Sequence, residues 1–256
     1  MPTSGTDYDV SLAKGDVMLA NRPSGAPRTP CPKGYQLMNL HLYAHPFSSY
    51  CQKVLTAFYE HNIPFELKML GPETPHNFAE LARMWPLQRF PVLVDGERVL
   101  IEASIIIEHI GVHYAEPGRL VPIEPNAALD VRFMDRFFDN YVMTPMQRIV
   151  ADALRTADKR DEQTVTEARA LLEKAYLWLE ARLAGRVWAA GADFSLADCA
   201  AAPSLFYADW AHPIDSHFAK LLAYRERLLS RASFARAVDE ARPYRKLFPL
   251  GAPARD

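Results

Sequence analysis

The sequence predicts an α/β plus all-α chain: a small domain with a four-stranded mixed sheet, then a bundle of helices. Three observations carry that expectation. Between residues 38 and 115 the apolar patterning alternates between a strand-like and a helix-like period, in the order β-α-β-α-β-β-α. A segment holding Pro117, Gly118, Pro122 and Pro125 then interrupts it, so residues 116–126 read as a linker. From residue 127 to 256 the apolar residues recur only at helical spacing.

Each element has a local reason. Residues 39–43 alternate, with Leu40 and Leu42 on one face, and read as a strand. A turn begins at Pro46, and a helix follows from near Ser48 or Ser49 to Glu60. Residues 64–70 alternate again, and the intervening helix predicts parallel pairing with the first strand. Residues 71–85 are polar and weakly helical from about Asn77. Two apolar runs, residues 90–94 and 98–101, flank Asp95-Gly96 and predict an antiparallel hairpin. An isoleucine-rich helix over 102–114 completes this half.

In the second half, Phe133, Met134, Phe137, Phe138 and Tyr141 form one helical stripe, which Pro145 is predicted to kink or end. Ala168, Leu171, Leu172, Ala175, Leu179 and Leu183 form another, stopped by Gly185. Ser195 and Asp198 have the spacing of a capping box, with Phe194 and Cys199 as its hydrophobic staple. Residues 218–229 and 234–241 are the last helices.

Composition narrows the function. The 256 residues are 49% hydrophobic and 23% charged, with a net charge of -2, which gives no footing for a nucleic-acid surface. No apolar run approaches the roughly 20 residues of a membrane helix. Cys31, Cys51 and Cys199 are too few for a disulfide framework and fit a reducing cytoplasm. Residues 1–37 hold Pro2, Pro23, Pro27, Pro30 and Pro32 with little periodicity and read as a flexible extension, with Met38 as a candidate start.

The chemistry-bearing stretch is Tyr43-Ala44-His45-Pro46-Phe47-Ser48-Ser49-Tyr50-Cys51, where a strand ends and a helix begins. The first turn of a helix has free N–H groups and the positive end of a dipole, so a thiolate is stabilised there. A serine hydroxyl at that place caps the helix or donates to an anion, and the residues alone leave both open. Cys51 reads as a small buried helix residue. His109 and His113 lie i, i+4 on a helix without a third ligand, so no metal site is expected.

Taken together, Ser48 at the strand-turn-helix, Phe90-Pro91-Val92, acidic Glu102 at the third helix and the Ser195–Asp198 box resemble the cytosolic glutathione S-transferases with a serine-type active site. The resemblance covers about residues 38–250. It implies a thioredoxin-like glutathione-binding domain over 38–115, an all-helical domain over 127–256, a cytoplasmic homodimer, and no nucleic-acid or membrane partner. It implies glutathione as co-substrate, with a small apolar electrophile as the second substrate.

Residue by residue, Ser48 falls where the serine-type classes face the glutathione sulfur, which makes it the expected catalytic residue. Ser48-Ser49-Tyr50-Cys51 also falls on the Cys-x-x-Cys of the glutaredoxin relatives, with serine first. Tyr43 is the rival, because other classes use a strand-end tyrosine. It lies about one residue too early, which turns it to the other face. Pro91 matches the family's cis-proline, after which Val92 is expected to pair with the cysteinyl backbone of glutathione, beside Phe90.

Glu102 matches the residue that holds the γ-glutamyl ammonium. The family usually follows it with a serine for the γ-glutamyl carboxylate. Here Ala103 stands in that place, with Ser104 as an imperfect substitute one position on. Arg89 sits where the glycine end is met. Phe47, Tyr50, Met143, Met146 and Tyr207 are the expected lining of the substrate pocket. The implied function is conjugation of the ionised glutathione thiol to an apolar electrophile. A thiol reductase is the alternative that Ser48 argues against, and a non-catalytic glutathione- or ligand-binding protein is the one that Ala103 favours.

Overall fold

A computed structural model describes residues 40–256. The expectations for residues 1–39, including the extension, Cys31, Met38 and the start of the first strand, lie outside the described residues. The described residues form one compact unit.

The first half contains β1 (Leu40–Ala44), α1 (Ser49–Glu60), β2 (Glu66–Met69), α2 (Pro75–Met84), β3 (Val92–Asp95), β4 (Arg98–Ile101) and α3 (Ala103–His113). The sheet runs β2-β1-β3-β4. β1 and β2 are parallel because α1 carries the chain back to the starting edge. β1 and β3, and β3 and β4, are antiparallel. Alternation along β1 sends Leu40, Leu42 and Ala44 into the main core with Leu55, Phe58 and Ile107. It sends Tyr43 to the other face, where Tyr43, Val92, Leu70 and Leu81 form a second small core. α2 begins two residues earlier than Asn77, because Pro75 is preset for the first helical position.

The second half contains α4 (Pro125–Phe137), a π-helical turn (Phe138–Met143), α5 (Thr144–Ala153), α6 (Glu162–Arg182), α7 (Leu196–Ala211), α8 (Ala219–Leu229) and α9 (Ala232–Ala241). Pro145 does not end the helix. It follows the wide turn, in which the ladder is already relaxed and a missing N–H is tolerated. Gly185 adopts φ +71, the left-handed conformation that suits glycine, just past the end of α6.

Every residue of α7 is buried, so the bundle is built around it. Asp198 anchors its start. Its Oδ2 accepts the Ser195 N–H at 2.9 Å, and its Oδ1 accepts Ala189 N–H at 2.9 Å and the Tyr224 hydroxyl at 2.6 Å. α1 packs on α7 and α9, joining the two halves. Arg231 and Ser233 donate to Glu60 across that seam. Among the described residues, no helix is long and apolar enough to cross a membrane.

Candidate active site

The site is built from the end of β1 upward. After β1 the chain turns, with Ser48 N–H donating to the His45 carbonyl at 2.9 Å and Gln52 N–H donating to the Ser48 carbonyl at 2.9 Å. Ser48 takes the N-cap position of α1 in extended conformation, φ -81 and ψ 126, and its side chain makes no capping bond. The hydroxyl is therefore not spent on capping, and can turn from Cys51 to an anion held over the first turn. Beneath it, Cys51 is fully buried. Burial pushes its thiol up to about 12, against hydrogen bonds from Ser48 and the His45 backbone. A thiol so placed does not ionise near neutrality, so Cys51 is inert.

Two clefts meet at Ser48. The first is polar, with a volume of about 540 Å3. Ser48 and Tyr50 lie on its α1 side, and Trp85, Gln88, Arg89, Phe90 and Pro91 come from the chain leading into β3. Glu102 and Ala103 lie at the start of α3, with Arg136, Asp139 and Asn140 opposite, from the end of α4 and the π turn. The Phe90–Pro91 peptide bond is cis. Glu102 adopts φ +69 and ψ 120, a conformation that costs a residue with a side chain about 1–3 kcal/mol and that concentrates at functional sites. Burial, with the negative charge of Asp139 nearby, pushes the Tyr50 hydroxyl up to about 12, so it stays a donor at neutral pH.

Below this cleft lies a charged cluster. The Lys53 ammonium is fully buried, donates to Asp139 at 2.8 and 2.9 Å and to Ser104 Oγ at 2.9 Å, and forms an ion pair with Asp135 at 2.6 Å. Arg136 completes it, with Nη2 at 2.7 Å from Asp135 and 2.6 Å from Asp139. Burial raises the Asp139 pKa, and the charges of Lys53 and Arg136 oppose that rise.

The second cleft is apolar, about 580 Å3, lined by Phe47, Leu70, Pro72, Phe78, Phe90 and Leu247 together with His45 and Ser48. Phe47 N–H lies 3.1 Å from His45 Nδ1. That fixes Nδ1 as the acceptor and leaves the proton of the neutral ring on Nε2. Burial lowers the His45 pKa and favours this neutral form.

Of the residues expected from sequence, Ser48, Tyr50, Arg89, Phe90, Pro91, Glu102 and Ala103 line the polar cleft, and Phe47 lines the apolar one. Five do not fall as expected. Val92 is fully buried in β3, in register with Tyr43 of β1 on one side and Ile101 of β4 on the other. A central strand turns its backbone groups to its neighbours, whereas Phe90 lies outside the ladder and lines the cleft. Ser104 is bonded into the charged cluster and does not line the cleft. Met143 and Met146 are core residues. Tyr207 is buried as well, donating to the Phe47 carbonyl at 2.9 Å and accepting from Gln52 at 3.0 Å. It supports the loop from behind.

Tyr43 faces away from the site. Its hydroxyl donates to Glu80 at 2.7 Å and is pushed up to about 12 by burial and by that bond. His109 pairs with Asp95 at 2.8 Å and packs against His113 at a tilt. Sequence reasoning missed Trp85, Gln88, Arg136, Asp139 and Asn140. The i, i+4 spacing of Asp135 and Asp139 was a signal for a shared helix face, but nothing in it pointed to Lys53.

Comparison with known proteins gives the family and the fold. The family model "Glutathione S-transferase, N-terminal domain" matches residues 42–118, and "Glutathione S-transferase, C-terminal domain" matches residues 162–227. Glutathione S-transferase 3 of Zea mays is 31% identical over 166 residues, covering 62% of this chain and 73% of that protein. A stringent starvation protein A homolog of Coxiella burnetii is 23% identical over 206 residues, covering 78% and 91%. Among solved structures, a glutathione S-transferase of Methylobacterium radiotolerans in complex with glutathione sulfonate superposes with a TM-score of 0.68 at 25% identity, covering 78% of this chain and 94% of that one.

Proposed function

The chain belongs to the glutathione S-transferase family, and on that premise we propose that it ionises the thiol of glutathione and delivers it to an apolar electrophile. One observation carries this reading: a polar cleft and an apolar cleft share Ser48, whose hydroxyl is not used in capping. Glutathione, the co-substrate, has charged ends, and the polar cleft has charges for each. Glu102 faces the γ-glutamyl ammonium, Arg89 the glycine carboxylate, and Phe90 the cysteinyl backbone.

The sulfur then lies over the first turn of α1. Ser48 donates a hydrogen bond to the thiolate and not to the thiol, and the free N–H groups of the turn add to the same preference. The electrophile enters from the Phe47 and Phe78 side, where the wall is apolar. The sulfur forms the new bond and the leaving group departs with its electron pair.

Assembly as a homodimer belongs to this reading. Phe133, Tyr141 and Trp178 are 48%, 48% and 37% exposed; Phe133 packs edge-on against Trp178, and Tyr141 and Trp178 both pack on Phe137, so α4, the π turn and α6 share one aromatic patch. Contiguous apolar surface of this kind marks protein contacts.

A second reading is a glutathione-binding protein without turnover. Ala103 supports it, as does the likeness to a protein named for stringent starvation and not for a transferase. A thiol reductase is disfavoured, because position 48 is serine and Cys51 is sealed. Retention on immobilised glutathione, followed by an aryl-halide conjugation assay, separates the readings. Binding with turnover supports the transferase, binding without it the second reading, and no retention sinks both.

A further inference from the structure

The polar cleft holds a cation beside the first turn of α3, where the family pattern calls for a serine. Ala103 offers no hydroxyl, and the Ser104 hydroxyl donates to Asp135 at 2.8 Å while it accepts from Lys53. What the wall presents there is Arg136. Its Nε and Nη2 grip Asp135 at 3.0 and 2.7 Å, and Nη2 also contacts Asp139 and Ser104. Its Nη1 makes no hydrogen bond among the described residues, and the side chain is 51% exposed. One edge of the planar fork is thus clamped and the Nη1 end is open to the cleft. The contact of Nη2 with Ser104 holds the guanidinium at the first turn of α3, in the cleft that Ala103 also lines.

The geometry points to Arg136 as the group that recognises the α-carboxylate of the γ-glutamyl residue, replacing the hydroxyl missing at position 103, with buried Lys53, Asp135 and Asp139 as the frame that aims it. The inference rests on the glutathione reading above. Lys53 is needed in the frame because two buried carboxylates would otherwise have Arg136 as their only countercharge. With Lys53 and Arg136 balancing Asp135 and Asp139, the guanidinium is oriented by its partners and still attracts a further anion.

The test is calorimetric titration of the full chain with two probes. One is glutathione. The other is 4-aminobutyryl-cysteinyl-glycine, which is glutathione without that one carboxylate. Wild type should prefer glutathione by about 10- to 100-fold, the range for one charge-assisted hydrogen bond. Arg136→Ala should bind both probes alike, and Arg136→Lys should keep part of the preference. The inference is overturned if wild type binds both probes equally, or if Arg136→Ala keeps the preference. It is equally overturned if both variants weaken the two probes by the same factor, as a purely structural role would. If wild type binds glutathione, the first reading survives any of those outcomes. If wild type binds neither probe, both readings fall.

Discussion

Ser48→Ala is the substitution that tests the chemistry most directly. The hydroxyl is free of capping duty and sits over a twelve-residue helix whose N-terminus faces the same point. A hydrogen bond to a charged group contributes about 1.5–3 kcal/mol. At about 1.4 kcal/mol per pKa unit, that is about one to two units of thiol ionisation. Starting from a thiol near the cysteine reference of about 8.5, the wild-type complex should titrate around 6.5 to 7.5. Ser48→Ala should move it back toward 8, since the helix dipole remains and contributes about 0.3–1 kcal/mol.

The assay is the ultraviolet absorbance of the thiolate in the glutathione complex against pH, paired with conjugation rates. At pH near 6.5 the variant should be about 3- to 15-fold slower, and the gap should close near pH 9, where both complexes are ionised. Glutathione affinity should change little, because Glu102, Arg89 and Phe90 are untouched. Tyr43→Phe serves as the control: its hydroxyl is bonded to Glu80 on the other face of the sheet and should leave the titration unmoved. The reasoning is refuted if Ser48→Ala leaves the thiol titration in place, or if Tyr43→Phe shifts it.

Lys53→Met should destabilise the fold by about 3–5 kcal/mol, because it strands two buried carboxylates; a denaturant melt reads this directly, and a loss below about 1 kcal/mol would contradict the ion-cluster account. Ala103→Ser should tighten glutathione no more than a few-fold if Arg136 already serves the carboxylate, whereas a gain of tenfold or more by calorimetry would return that role to a hydroxyl at the start of α3. Burial lowers the His45 pKa, so the ring is neutral in both folded and unfolded chains above about 6.5; as pH falls below that, the unfolded chain takes up its proton first and stability is lost. His61 and His113 are lowered with the same sign, so His45→Gln should flatten only part of the slope of stability between about pH 6.5 and 5. Phe133→Glu should convert a dimer to monomer in sedimentation at micromolar concentration, and an unchanged sedimentation coefficient would place the interface elsewhere.

The elements were legible because their causes are local. Alternation wrote β1 and the hairpin, a proline-glycine segment ended the first half, and the Ser195–Asp198 spacing opened α7. Ser48 was legible for the same reason: its place one residue before a helix is a matter of adjacent chain. Phe90-Pro91 and Glu102 were legible through the family pattern, which is also written in short stretches.

The misplacements share a different cause. Nothing in the sequence around Val92 says that β3 lies between two strands, because that depends on Tyr43 and Ile101 meeting it from elsewhere in the chain. Met143, Met146 and Tyr207 have the composition of pocket residues and of core residues alike, and packing assigned them to the core. Ser104 was taken by Lys53, 51 positions away, and by Asp135, 31 positions away. What the sequence determined by itself was therefore the order of elements, the two-part architecture and the serine at the head of α1. Tertiary structure decided which charges meet, since burial brings Lys53, Asp135, Arg136 and Asp139 together only after α1, α3 and α4 have packed. The physical reason is range: hydrophobic period and helix capping act over a few residues, whereas the pairing of buried charges is settled by whichever distant group can offset the cost of desolvation.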